Sequence, residues 1–335
     1  MILLRIIVFP FALSYGFVVH VRNYFYDLGI FNSKEFDTPT VCVGNLSLGG
    51  AGKTPMVEFL VSELQDDHKI AVLSRGYKRK TSGYVLANSK STVDQLGDEP
   101  YQMFQKFSAI SLAVDADRSN GIEKLESTVK PNLIILDDAF QHRKVKPSFS
   151  ILLTAYDKLY CDDYFMPTGT LRDGRNQAKR ANVIVVTKCP ADLSEDCRNR
   201  IMEKLRPRPH QKILFTFLEY GAALKGGVGQ ITLENLKQGE ITLVTGIANP
   251  DPLINYLKGK GLNFEHQKFK DHHSFTKNEI EKLNSKKQIL TTEKDFVRLQ
   301  GKVKNLFYIE VEHKFFENGK KVFIGDIEAV MKRSF

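Results

Sequence analysis

Gly49-Gly50-Ala51-Gly52-Lys53-Thr54 is the stretch of this chain best suited to hold phosphate. Glycines let successive backbone N–H groups converge on phosphate oxygens, a following lysine reaches the β/γ-phosphates, and a threonine hydroxyl can ligate Mg²⁺. The pattern departs from G-x-x-x-x-G-K-[ST] at one place, where Ser47 stands at the first glycine. A β-branched run ending at Val43 precedes the loop. An amphipathic segment carrying Met56, Val57, Phe59, Leu60, Val61 and Leu64 follows it. Strand, loop and helix in that order bring the positive end of a helix to a bound anion. A glycine-rich turn without a ligand is the alternative, and the Gly-Lys-Thr between strand and helix argues against it.

Other residues can complete such a site. Leu133-Ile134-Ile135-Leu136-Asp137-Asp138 is an apolar strand ending in two carboxylates, where a phosphate-loop protein needs an acid for Mg²⁺. Adjacent aspartates point in different directions, so one can hold metal while the other orients a partner. In Gly97-Asp98-Glu99-Pro100 the proline suits the first turn of a helix, whose dipole keeps a carboxylate ionised. An ionised Asp98 can accept a proton from an attacking hydroxyl, or it is a plain helix cap; the segment alone leaves both open. His272, in Asp271-His272-His273-Ser274, can hydrogen-bond a carboxylate or move protons, while His273 reads as a solvated loop residue. Arg75, after a strand, can pair with a phosphate. The segments Met166 to Asp173 and Thr292 to Asp295 each carry basic and acidic residues, a weak signal alone.

Continuous apolar runs at 69–74, 109–114, 132–136, 149–153 and 182–187 predict strands buried on both faces of a parallel sheet. Helical segments near 99–107, 118–128 and 194–205 alternate with them, which is the doubly wound α/β pattern. A glycine-rich stretch at 221–229 reads as a linker or turn. Beyond it, strands at 241–245, 262–269, 288–291 and 306–311 alternate with helices, and Thr276 with Glu279 makes a capping box. The expected architecture is a mostly parallel α/β sheet flanked by helices, of the P-loop NTPase kind. It divides into an N-terminal membrane-associated helix (1–30), a P-loop core (31–220) and a smaller C-terminal α/β lobe (221–335).

Composition bounds the function. The chain has 335 residues, 26% charged and 42% hydrophobic, and a net charge of +9, which favours an acidic partner such as a nucleic acid, an anionic membrane or a phosphorylated substrate. Its basic clusters do not interleave with aromatics as a strand-binding groove does, so nucleic acid is not expected. The four cysteines form no C-x-x-C pair, which argues for a reducing compartment and against a zinc site. From Ile6 to Val19 the chain is apolar without interruption, and His20, Arg22 and Asn23 follow among Tyr24, Phe25 and Tyr26. This run is short for a membrane span and suits a helix lying in a membrane surface. A buried core helix and a single-pass anchor are the alternatives.

Taken in order, these segments resemble the tetraacyldisaccharide 4′-kinase family, the lipid A 4′-kinases of Gram-negative bacteria. The resemblance runs from the apolar amino terminus through Gly44-Asn45, Gly49 to Pro55, Ser74-Arg75-Gly76-Tyr77 and Gly97-Asp98-Glu99-Pro100. It continues through Asp137-Asp138-Ala139-Phe140-Gln141-His142 and Pro167 to Arg172, and closes with Asp271-His272 and Thr292-Glu293-Lys294-Asp295. The family's loop also lacks the first glycine. The resemblance implies transfer of the ATP γ-phosphate to the 4′-hydroxyl of a tetraacyldisaccharide 1-phosphate, yielding lipid IVA. It implies a catalytic pair, Asp98 and His272. Gly49, Gly50, Ala51, Gly52, Lys53, Thr54 and Arg75 would bind ATP. Thr54, Asp137, Asp138 and Asp173 would hold Mg²⁺. At Asp173 the family usually carries glutamate, and the shorter carboxylate would reach the ion through water. The implied setting is the cytoplasmic face of the inner membrane, with a glycolipid substrate and no obligate protein partner. Asp98 and His272 lie in different lobes, so their contact is expected to need lobe closure. A P-loop switch ATPase is the rival: Thr187-Lys188 is similar to the start of a guanine-reading loop, but no Asn-Lys-x-Asp follows. A membrane-bound binding module is a third reading, which Thr54 together with the tandem aspartates disfavours.

Overall fold

The computed structural model describes residues 2–227, 231–237 and 239–332. The chain opens with α1 (Ile2–Asp27) and then alternates. β1 (Thr40–Asn45) leads into α2 (Lys53–Leu64); β2 (Ile70–Ser74) is followed by β3 (Val85–Leu86), α3 (Val93–Leu96) and α4 (Asp98–Lys106). Then come β4 (Ser111–Val114), α5 (Arg118–Thr128), β5 (Leu133–Asp137), β6 (Phe149–Ala155), β7 (Val183–Thr187) and α6 (Glu195–Leu205). The second half holds β8 (Lys212–Lys225), β9 (Ile231–Thr232), α7 (Leu233–Leu236), β10 (Ile241–Thr245) and α8 (Asp251–Gly259). It ends with β11 (Glu265–Lys268), α9 (Lys277–Asn284), β12 (Gln288–Thr292), α10 (Glu293–Leu299), β13 (Leu306–Phe315) and α11 (Gly319–Lys332).

The strands join in one sheet of order β11-β10-β12-β13-β8-β7-β6-β1-β5-β2-β4-β3, with β9 paired to β8. The first half is parallel from β4 to β7. Every residue of β1, β2, β5 and β7 is buried, as strands covered on both faces must be. Met56, Leu60 and Leu64 of α2 pack on one face, and Ile122 and Leu125 of α5 with Ile201 and Leu205 of α6 on the other. The second half repeats the plan, with Leu253 and Leu257 of α8 on one face and Leu283 of α9 and Leu299 of α10 on the other.

The long strand β8 joins the halves. Residues Lys212 to Phe215 run parallel to β7, and Thr216 to Lys225 run antiparallel to β13. The stretch expected as a linker at 221–229 is therefore strand up to Lys225, because pairing with β13 overrides its glycine and alanine content. Residues 228 and 229 lie outside the described residues. The strand expected at 262–269 is shorter, Glu265–Lys268. The capping box of Thr276 and Glu279 is present at the start of α9. The last helix does not stay with the C-terminal strands: Phe323, Ile327 and Met331 of α11 pack into the core around β1 and α2.

Along α1 the buried positions are Ala12, Gly16, Val19 and Asn23, one stripe at helical spacing. The flanking face presents Phe9, Phe11, Leu13, Phe17 and Val18 to the exterior. Among the described residues no helix is long and apolar enough to cross a membrane.

Candidate active site

The phosphate loop lies between β1 and α2, at the carboxyl edge of the sheet. Gly52 caps α2 with φ of 82°, a left-handed conformation that favours glycine. The backbone N–H groups of Gly50, Gly52, Lys53 and Thr54 donate to no acceptor among the described residues, so the loop offers converging donors at a helix N-terminus. The loop is held from behind. Thr187 Oγ1 donates to the Ala51 carbonyl at 2.9 Å. His313 Nε2 donates to the Gly52 carbonyl at 3.0 Å, and His313 Nδ1 accepts from Thr216 Oγ1 at 3.0 Å. Burial pushes the His313 imidazole down to about 4, so it is neutral and fixed in this tautomer near neutral pH.

Lys53 Nζ lies 3.2 Å from Asn45 Oδ1 and 3.6 Å from Asp138 Oδ1. The two aspartates do point apart. Asp137, at the end of β5, accepts from Ser74 Oγ at 2.8 Å through Oδ2, while its buried Oδ1 has no hydrogen-bond partner. Burial, with Glu99 and Asp138 nearby, raises the Asp137 carboxyl to about 6. Asp138, at φ 47°, is bound by both terminal nitrogens of Arg172, at 2.8 and 3.1 Å. Burial raises its carboxyl, but Lys53 and Arg172 outweigh that and hold it below the usual range. Thr54 Oγ1 donates to Glu99 Oε2 at 3.1 Å.

Asp98 opens α4, positioned by Gly97. A Cβ on Gly97 would lie 2.8 Å from the Tyr77 carbonyl, and its φ of 90° disfavours other residues. His272 Nδ1 lies 2.9 Å from Asp98 Oδ2. Lys294 Nζ, which can only donate, lies 3.0 Å from His272 Nε2. Arg298 Nη2, a second obligate donor, lies 3.1 Å from His272 Nδ1, but the Asp98 carboxylate can only accept; Nδ1–H therefore donates to Asp98, and Nε2 accepts from Lys294. Arg298 Nη2 donates to the same Asp98 oxygen at 2.6 Å and is itself anchored by Asp295 at 3.0 Å. Burial alone would raise the Asp98 carboxyl; His272 and Arg298 reverse this and hold it well below the usual carboxylate range. The pair expected to need closure is thus already in contact, with α4 and α10 side by side.

A continuous chain of contacts links the loop to this pair. Thr54 meets Glu99, Glu99 Oε1 meets Lys294 at 3.0 Å, Lys294 meets His272, and His272 meets Asp98. Arg75, exposed at the end of β2, makes no hydrogen bond or ion pair with any described residue. Asp173 is not in contact with the other residues expected to hold Mg²⁺. Its carboxylate is fully buried against α1, accepting from Asn23 Nδ2 at 2.6 Å and from the Gly174 N–H at 2.8 Å, and none of its contacts is to Thr54, Asp137 or Asp138. Arg298 was not anticipated from the sequence, although it lies one helical turn beyond Lys294 in the same motif. The oxygens of Thr54, Asp137 and Asp138 are hard donors suited to Mg²⁺, and the orphaned Asp137 Oδ1 fits a cation, although no cluster of three acidic, histidine or cysteine groups around one metal position occurs among the described residues.

Residues 4–331 match the family described as tetraacyldisaccharide-1-P 4′-kinase, LpxK. A tetraacyldisaccharide 4′-kinase of Flavobacterium johnsoniae is 48% identical over 319 residues, covering 93% of each chain. One of Bacteroides thetaiotaomicron is 44% identical over 311 residues, covering 87% of this chain and 82% of its own. The crystal structure of the "apo" form of LpxK from Aquifex aeolicus in complex with ATP superposes with a TM-score of 0.80 at 30% identity, covering 97% of this chain and 99% of that one.

Proposed function

The chain belongs to the tetraacyldisaccharide-1-P 4′-kinase family, and we propose that its reaction, ATP-dependent 4′-phosphorylation of tetraacyldisaccharide 1-phosphate to lipid IVA in lipid A biosynthesis, is carried by Asp98 and His272 beside the phosphate loop. The observation that carries this reading is the unbroken run of contacts from Thr54 to Asp98. It sets a proton acceptor next to a phosphate cradle, the arrangement needed for in-line attack by a hydroxyl.

Gly49, Gly50, Ala51 and Gly52 present backbone donors, Lys53 offsets the charge of the β/γ-phosphates, and Arg75 reaches a phosphate from β2. Thr54, Asp137 and Asp138 would hold Mg²⁺, which when bound offsets phosphate charge. Asp173 is not part of that set. Asp98, so strongly stabilised as its anion, is a weak base. Its work is to align the sugar hydroxyl and take the proton late, as a loose phosphoryl-transfer transition state requires. His272 holds Asp98 through Nδ1–H, and Lys294 fixes that tautomer.

The apolar face of α1 supports association with the cytoplasmic face of the inner membrane, where the glycolipid acceptor lies. The reaction as described requires no nucleic acid and no obligate protein partner. Segments 31–220 and 221–335 serve as lobes joined through β8, with α11 of the second returning to the core of the first, and residues 1–30 as the membrane-associated helix.

ATP turnover measured with and without the glycolipid tests the reading. Turnover is expected to require the acceptor, with the transferred phosphate found on the sugar; full-rate ATP hydrolysis without it overturns the kinase assignment. Asp98→Ala should lower kcat by about 10²–10⁴-fold and leave ATP affinity within about twofold. Wild-type turnover in that variant would remove Asp98 from the mechanism.

A further inference from the structure

Asn23 is the one polar side chain in the buried stripe of α1 among the residues whose burial is described, 8–27, with 3% of its surface exposed. A buried amide is destabilising unless its hydrogen bonds are made. Asn23 Nδ2 donates to Asp173 Oδ1 at 2.6 Å, its Oδ1 accepts from Arg22 Nη2 at 3.3 Å, and its backbone carbonyl accepts from Arg143 Nη1 at 2.9 Å. Asp173 Oδ2 has no hydrogen bond; Arg180 at 3.7 Å and Arg22 at 3.9 Å supply its counter-charge. A second tie lies two turns earlier, where the Tyr15 hydroxyl donates to the Arg172 carbonyl at 3.0 Å and the Tyr15 and His20 rings meet Phe165 edge-on.

The far side of the same strap touches the phosphate loop. The Leu48 N–H donates to the Thr170 carbonyl at 2.6 Å, and the Arg172 N–H donates to the Leu46 carbonyl at 2.7 Å. The Arg172 guanidinium binds Asp138 and also Asn45 Oδ1 at 2.7 Å, the oxygen that Lys53 approaches. Residues 170–173 therefore lie between the membrane-facing helix on one side and the loop and tandem aspartates on the other. Arg172 follows any shift of the residue next to it.

We infer that Asn23 and Asp173 form a positioning contact that sets Arg172, and through it Asp138 and Lys53, according to how α1 is seated. Asp173 then serves as the acceptor that registers α1, not as a ligand of Mg²⁺. Turnover depends on correct docking of the helix that enters the lipid surface, which limits phosphorylation to enzyme already placed at its substrate. The inference rests on the kinase reading.

Exchanging the two groups tests it in the full chain: Asn23→Asp, Asp173→Asn, and both together, which restores one amide facing one carboxylate. Each single change is expected to lower kcat by about tenfold or more, since each leaves a buried group mispaired. The double variant is expected to recover to within about threefold of wild type, with the Mg²⁺ needed for half-maximal ATP binding unchanged. A double variant as slow as Asp173→Asn, with a raised Mg²⁺ requirement, makes Asp173 a metal ligand and overturns the inference. Singles that melt lower yet keep wild-type kcat reduce the contact to scaffold and also overturn it. If the singles do not fold, the double variant decides, together with Tyr15→Phe, which should lower kcat a few-fold at constant KM for ATP; unchanged kcat there sinks the link. ATP binding and melting of the exchanged pair are read without glycolipid, so they report on the contact even if the kinase reading fails.

Discussion

Asp98 receives two donors at one oxygen, an imidazole N–H and a guanidinium. They do different things. His272 comes from a loop in the second half and sets direction. Arg298, nine-tenths buried on α10, supplies the charge that keeps the carboxyl ionised. Groups that act as a unit do not lose activity independently. Arg298→Gln is therefore expected to lower kcat by about 10–100-fold, and Asp98→Asn by more, while the double variant falls no further than Asp98→Asn alone. Steady-state kcat for the three variants checks this, and losses that multiply would show Arg298 working elsewhere. The loop and the tandem aspartates are legible in the sequence because each is a short run whose chemistry is local; the pairing of Asp98 with His272, 174 residues apart, comes only from the family resemblance. Arg298 stays hidden because the motif Thr292 to Asp295 ends before it, although positions 294 and 298 share one helix face. The expectation for Asp173 comes from the family's glutamate at that position, and no local pattern shows that this side chain faces Asn23 of α1 while Arg172 beside it faces Asp138.

At the scale of elements, α1 shows how a nearly all-apolar helix is used on one side only. Its narrow stripe of Ala12, Gly16, Val19 and Asn23 docks on the protein, and bulky side chains occupy the remainder. Phe11 and Phe17 are each more than two-thirds exposed. Transferring a phenylalanine from water into an apolar phase is worth about 1.5–3 kcal/mol, so Phe11→Ser with Phe17→Ser should weaken binding to anionic vesicles by well over about tenfold. Co-sedimentation measures this, and melting in detergent should stay at the wild-type temperature because neither side chain packs on the core. Unchanged vesicle binding would leave α1 without a membrane role. Apolar periodicity located this helix and the strands β1, β2, β5, β6 and β7, since all of them are defined by burial. Periodicity could not show that β8 extends through 221–225, a stretch that is strand only because β13 lies beside it. Nor could it show that α11 returns to the first core, because packing partners distant in sequence leave no local pattern.

Across the whole molecule the two halves meet at both ends of α4. Asp98 at its start pairs with Arg298 of α10; Lys106 at its end lies 2.8 Å from Glu58 of α2, 3.1 Å from Glu293 of α10 and 3.2 Å from Glu310 of β13. Lys225 also lies 2.8 Å from Glu310, so two ammonium groups face three carboxylates and a net negative charge remains in a buried place. Burial and repulsion from Glu58 outweigh Lys106 and raise Glu293 to about 7. A carboxyl raised above its unfolded value binds protons more tightly in the folded chain. Its contribution to stability is complete below the ordinary glutamate value of 4.5 and is lost as the pH rises through about 7. Wild-type protein should accordingly lose stability from this junction from about pH 4.5 up to about pH 7. Glu293→Gln keeps a carbonyl acceptor for Lys106 and removes the titrating charge. Its melting temperature relative to wild type should rise across that interval, ending about 2–4 °C higher at the alkaline end. Thermal melts at matched ionic strength read the difference. A gap between the two proteins that stays constant with pH would place the shared proton elsewhere and leave Lys106 balanced by its neighbours. If the gap widens as expected, the same charge that strains the end of α4 once Glu293 ionises acts on the helix that carries Asp98, so kcat of the wild type should fall as the pH rises through about 7 while that of Glu293→Gln does not.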